Sequence, residues 1–213
     1  MQTASQGGEF NVAIGADGIA YDFVQNDTTL NIIGSDIPFP LSLEMAQLGM
    51  NFAMPLTKSE NEQDFALGVA LRDFVVPEML WGMVDPMGQL PHDPATLVLD
   101  LSGTGKLFMD LADEDQIAAV EAGEEVPGEL HSLNVNELLL SVVGAELTGA
   151  GAFTFDNSNL DSFDGMPAPT GEANLKLVGA NTLLDKLVAM GLLSDEDAMG
   201  PRMMMGMFSV PGE

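Results

Sequence analysis

The chain contains no cysteine. That absence excludes disulfides, thiolate-bound metal and cysteine nucleophiles. Basic residues are nearly as scarce. Lys58, Lys106, Lys176, Lys186, Arg72 and Arg202 stand alone against 33 acidic residues, for a formal charge of −27. The six cations are scattered, no basic patch can form, and nucleic acid and anionic headgroups are repelled as partners. Only two histidines occur, His92 and His131. They sit far apart with no His-x-x-x-His spacing, so no metal site is expected. Long apolar runs are also missing. The best of them, "LLLSVVGA", stops at Glu146 and is too short to span a bilayer. The opening "MQTASQGGEF" has neither the basic start nor the apolar centre of a signal peptide.

What is present is alternation. At 213 residues and 46% apolar content the chain can bury a sizeable core. Leu48, Met50, Phe52 and Met54 share one side of an extended segment, as do Phe65, Leu67, Val69 and Leu71. "ATLVLDL" repeats the pattern with Leu97, Leu99 and Leu101, and "EANLKL" with Ala173, Leu175 and Leu177. Period-2 patterning of this kind predicts antiparallel strands with one face buried. The stripes are expected to form one core, and "GADG" (15–18) to be a turn. "LSGTGKLFMD" (101–110) and "LTGAGAFTFD" (147–156) resemble each other, which we read as recurring strand chemistry rather than a duplication.

Helices are fewer. "DEDQIAAVEAG" (113–123) predicts a short acidic one, and "NTLLDKLVAMGLL" a better one capped by Asn181. Ser194 and Asp197 predict a cap for a third, on which Met199, Met203 and Met207 share a face beside a kink at Gly200–Pro201. The polar stretch 156–171 reads as the longest loop, and no linker divides the chain into domains. The fold class expected is α+β with β dominant: one long curved antiparallel sheet with C-terminal helices on its concave face.

The richest stretch is "LWGMVDPMGQLPHDPATLVLDL" (80–101), with the sole tryptophan, three prolines and His92. Pro77 suits the start of a short helix that buries Leu80, Met83 and Val84 and stops at Asp85, before Pro86. Pro91 and Pro94 then enforce an extended path into the next strand. A structural turn accounts for all of these residues, so His92→Ala is expected to be nearly silent. "GTGK" (103–106) lacks the first glycine and the hydroxyl of a phosphate loop, and "DNSNLDSFDG" lacks the calcium-loop order. No catalytic residue and no cofactor is expected. Methionine is the notable excess, with 15 in the chain and five within "MGPRMMMGMF". Flexible, polarizable side chains suit a surface that accepts variable apolar shapes. The residues expected to line such a groove are Met50, Phe52, Met54, Phe65, Leu67, Trp81, Met199, Met203 and Met207.

Three stretches, "LWGMVDPMGQLPHDPATLVLDLSG" (80–103), "GAELTGAGAFTFDN" (144–157) and "PTGEANLKLVGANTLLDKLVAMGLL" (169–193), carry a family resemblance. The chain from about Asp64 onward resembles an uncharacterised alphaproteobacterial envelope family, the domain of unknown function numbered 2125. The resemblance implies export to the periplasm through a cleaved signal peptide and further strands beyond "FSVPGE". On that basis the 213 residues are expected to be a single domain and an internal piece of a longer exported protein. The family supplies no catalytic residues.

Three functions are thus carried forward. The first is a non-enzymatic periplasmic protein that binds or shields an apolar small molecule or lipid. The second is a structural module of the envelope that binds another envelope protein through sheet edges. The third is a hydrolase that uses carboxylates alone.

Overall fold

A computed structural model describes residues 2–15, 18–33, 39–123, 126–158, 160 and 166–208. Nine strands form a single open antiparallel sheet: β1 (Gln2–Ala4), β2 (Gly7–Ile14), β3 (Gly18–Ile32), β4 (Leu41–Pro55), β5 (Gln63–Phe74), β6 (Ala95–Leu107), β7 (Gly128–Val142), β8 (Ala145–Asp156) and β9 (Ala168–Val178). The order is β1-β3-β4-β5-β6-β7-β8-β9, with β2 beside β1 on the same flank of β3. From β2 onward this is a meander, in which each strand pairs with its sequence neighbour, while β1 skips β2 to pair with β3. Four helices accompany it: α1 (Glu78–Val84), α2 (Glu114–Glu121), α3 (Ala180–Ala189) and α4 (Asp195–Phe208). The β-dominant α+β class with C-terminal helices is therefore the fold adopted.

Every alternating stripe read from the sequence lies in a strand, and the register aligns them. One row runs across eight strands: Phe10, Phe23, Met50, Val69, Leu99, Leu138, Gly149 and Leu175 oppose one another in succession. A second runs from Val12 and Tyr21 through Phe52, Leu67 and Leu101 to Val135, Gly151 and Ala173. A third joins Gln25, Leu48, Leu71, Leu97, Leu140, Leu147 and Leu177. Residues directly opposite share a face, so these rows make one apolar side of the sheet. The register holds across shifts between Asp100 and Leu101 in β6 and between Val135 and Leu138 in β7. The extra residue, Asn136, turns to the other side, where its amide reaches Asp100 and Ser102.

The expectation that these stripes form one core is overturned. They share a face, yet that face is not covered. Leu97 is 42% exposed, Met50 48% and Leu175 67%. The reason lies in where the helices attach. The main contacts of α3 are with β8 and α4, so the C-terminal pair does not blanket the rows. Among the described residues the buried apolar side chains are few: Trp81, Leu90, Val98, Met109 and Ala198. They lie in α1, in α4, in the connections that hold Leu90 and Met109 and, for Val98, on the other side of the sheet.

Local signals explain the joints. Asp113 caps α2 by accepting from the amides of Asp115 and Gln116. Ser194 accepts from the amide of Asp197 at the start of α4, as expected, and Pro201 lies inside that helix. The expected cap of α3 is corrected: Asn181 lies within the helix, and Gly179, at φ 76°, precedes it. Glycine is required there because the chain turns sharply from β9 against the Gly144 carbonyl. The β7–β8 hairpin turns on Val143 and Gly144, both at positive φ, the two-residue form that fits strand twist. At the "GADG" position Gly15 donates its amide to Gly18, while residues 16 and 17 lie outside the described residues. So does much of the 156–171 loop.

Candidate functional site

Two regions compete, and geometry separates them. The first is the connection between β5 and β6. Its helix α1 runs from Glu78 to Val84 and stops at Asp85, where the sequence placed its end. Of the side chains expected to bury, Leu80 is half-buried but Met83 is 62% exposed and Val84 55%, while Trp81 is buried. A seven-residue helix has room for one inward anchor, and the large indole takes it. His92 stacks on that indole, ring centroids 4.2 Å apart and planes 5° apart. Asp85 is buried beneath them. Its carboxylate accepts from the amides of Gln89 (2.9 Å) and Leu90 (2.6 Å).

Those two backbone donors hold the Asp85 carboxyl below the ordinary carboxylate range, with the neighbouring imidazole adding to the effect. His92 lies 3.6 Å from Asp85 through Nε2 and 3.6 Å from Glu78 through Nδ1. Both distances exceed a proper hydrogen bond. The acid that could orient the imidazole is thus committed to the loop backbone, and the imidazole is stacked on a flat ring. A base needs a nucleophile to activate. Among the described residues no hydroxyl hydrogen-bonds to His92. The arrangement does the work of a staple that closes the turn between β5 and β6.

The polar side of the sheet carries two shallow grooves. One, of about 190 Å³, is floored by Gly49, Gly68 and Ala70 and edged by Asp22, Asn51, Asp100 and Glu137. Three of its four charged groups, Arg72, Asp100 and Glu137, have partners within the chain, and Asp22 stands at its edge. Arg72 meets Glu137 at 3.4 Å, and Asp100 accepts from Asn136 at 3.1 Å. The second, of about 350 Å³, lies over small side chains at Ala13, Ala20 and Ala53. Among the described residues no cluster of three metal-ligating side chains forms.

The second region is the apolar side itself. Across the three rows no charged residue appears, although the chain holds 33 acids and six bases. The charges fall on the other side, where Asp22, Asp100 and Glu137 lie in one row. At strand spacing the three rows extend about 34 Å across the strands and about 13 Å along them. Met50, Leu67, Leu97, Leu140 and Leu175 are exposed on it while Phe52, Val69, Leu99 and Leu138 are half-buried, and apolar surface open to this extent marks an interaction site.

The residues expected to line a groove divide accordingly. Met50, Phe52 and Leu67 lie within the rows, and Met54 continues them opposite Ile19. Phe65 sits on the same side, opposite Gly103, with its ring where a Cβ of that glycine would be. Trp81 does not join them, because it is buried against His92. Met199, Met203 and Met207 lie on α4 at 59%, 61% and 71% exposure. Residues that the sequence reading passed over complete the face. Phe10, Val12 and Ile14 alternate before the first turn, and Ile19, Tyr21 and Phe23 after it. That symmetric alternation around "GADG" was the available signal. Among the described residues no helix is long and apolar enough to cross a membrane. No family model, curated protein or solved structure matches the chain.

Proposed function

We propose that the chain is a non-enzymatic protein of the cell envelope whose apolar sheet face binds or shields an apolar ligand, lipid acyl chains being the class that fits. The observation that carries this reading is the exposed uncharged face from β2 to β9. Acyl chains ask for apolar area and no hydrogen bonds, whereas an ordinary protein interface brings a polar rim and about one hydrogen bond per 100–200 Å². Exposed methionines at Met50 and along α4 add surface that adapts to variable chain shapes. The charge of −27 favours holding single lipid molecules over lying flat on an anionic bilayer. The periplasmic assignment rests on the family resemblance. The carboxylate hydrolase gains nothing from the polar groove, whose acids Glu137 and Asp100 are engaged by Arg72 and Asn136.

The test is mass spectrometry of organic extracts from protein purified without detergent. One lipid class near equimolar ratio is expected, falling sharply in Leu67→Glu and Leu99→Glu variants that retain their circular dichroism. Extracts free of lipid, with no uptake of a fluorescent fatty acid, would refute the reading.

A further inference from the structure

The sheet ends on one side at β9, whose only strand neighbour among the described residues is β8. Its side chains from Pro169 to Val178 are all exposed. An edge of this length leaves a row of backbone donors and acceptors unpaired. We propose that two copies of the chain join there, β9 to β9, antiparallel about a two-fold axis through Asn174.

The sequence of the edge is self-complementary in that register. Glu172 and Lys176 flank Asn174 symmetrically on the polar side. They stand four residues apart along an extended strand, about 13 Å, too far to pair with each other. Among the described residues neither has an ion pair in the monomer. Across the two-fold axis Glu172 of each copy opposes Lys176 of the other, at the short separation of directly facing residues. Lys176 is one of only six cations in the chain, so its place opposite an acid is a specific feature. The apolar side matches too. Ala173 would oppose Leu175, and Gly171 would oppose Leu177, small against large. That alternation already operates inside the sheet, where Leu175 lies over Gly149. The other exposed edge lacks this logic: β2 carries Glu9 and no cation. An axis perpendicular to the sheet keeps like faces together, so the two uncharged faces would form one continuous surface. This inference stands apart from lipid binding, since an edge can pair whether or not the face holds a ligand.

Sedimentation velocity and light scattering at about 0.15 M salt, where the Debye length is ~8 Å, provide the test. A concentration-dependent dimer is expected. Lys176→Glu places like charges opposite at both symmetric positions and should raise the dissociation constant by about tenfold or more. The exchange Glu172→Lys with Lys176→Glu restores both pairs and should return it to within about threefold of the starting value. Lys176→Met, which only removes the attraction, gives an intermediate result and serves if the reversal fails to fold. A chain that stays monomeric to about 100 µM overturns the proposal. So does a dimer indifferent to Lys176→Glu, or one abolished by Leu67→Glu while Lys176→Glu leaves it intact.

Discussion

The Trp81 indole and the His92 imidazole lie parallel, 4.2 Å apart, over the buried carboxylate of Asp85. This contact gives His92, whose removal was expected to be nearly silent, a packing role in the turn. A stacked pair of this geometry contributes about 1 kcal/mol beyond area burial. His92→Ala is expected to lower stability by about that amount and to shift Trp81 fluorescence to the red. A denaturant titration followed by fluorescence reads both.

The same turn sets an acid response. The folded Asp85 carboxyl is held low, first by the amides of Gln89 and Leu90. A depressed carboxylate contributes stability that is present above its unfolded pKa and is lost as pH falls through the folded value. Asp85→Asn removes the ionisable group. Wild type should therefore exceed this variant in stability near neutral pH, and the gap should narrow on acidification below the ordinary carboxylate range. Paired urea titrations across that range give the difference directly, so that the easing of the chain's overall charge repulsion, common to both proteins, cancels.

The two sides of the sheet predict opposite costs for the same chemistry. Val98 is 4% exposed and Leu67 40%. Val98→Asp buries a carboxylate without a partner and should cost more than about 3 kcal/mol, enough to unfold much of the protein. Leu67→Asp, which the alternating pattern alone marks as a core disruption, should cost no more than about 1.5 kcal/mol because its carboxylate reaches water. Thermal melts of the two variants decide the matter.

Val143 occupies φ 46° in the β7–β8 turn, a conformation that crowds a β-branched side chain. Asparagine tolerates it far better. Val143→Asn is expected to stabilise the protein by about 1 kcal/mol, seen as a higher urea midpoint at unchanged slope. The neighbouring position should behave differently. A Cβ on Gly144 would come within 2.9 Å of Pro91, so Gly144→Ala should destabilise.

Ser194→Ala removes the side-chain acceptor for the amide of Asp197. A loss of about 1 kcal/mol is expected, with reduced helical signal from α4, by circular dichroism.

How much of this was written in the chain itself can be traced residue by residue. Alternation at Met50–Met54, Phe65–Leu71, Leu97–Leu101 and Ala173–Leu177 determined the strands, because a pleated backbone sends every second side chain to one side. The Pro77 start, the Asp85 stop and the Ser194 cap were equally legible, since each depends on contacts within a few residues. The alternation did not reveal whether the apolar side would be covered. That depends on where α3 and α4 come to rest, and the contacts of α3 with β8 and with α4 are packing choices with no local signature. The tertiary structure also decided that Trp81 is an anchor and not part of a groove, because only the folded turn brings His92 onto it. Local backbone chemistry fixed the strands, while the attachment of four short helices left one side of them open to solvent.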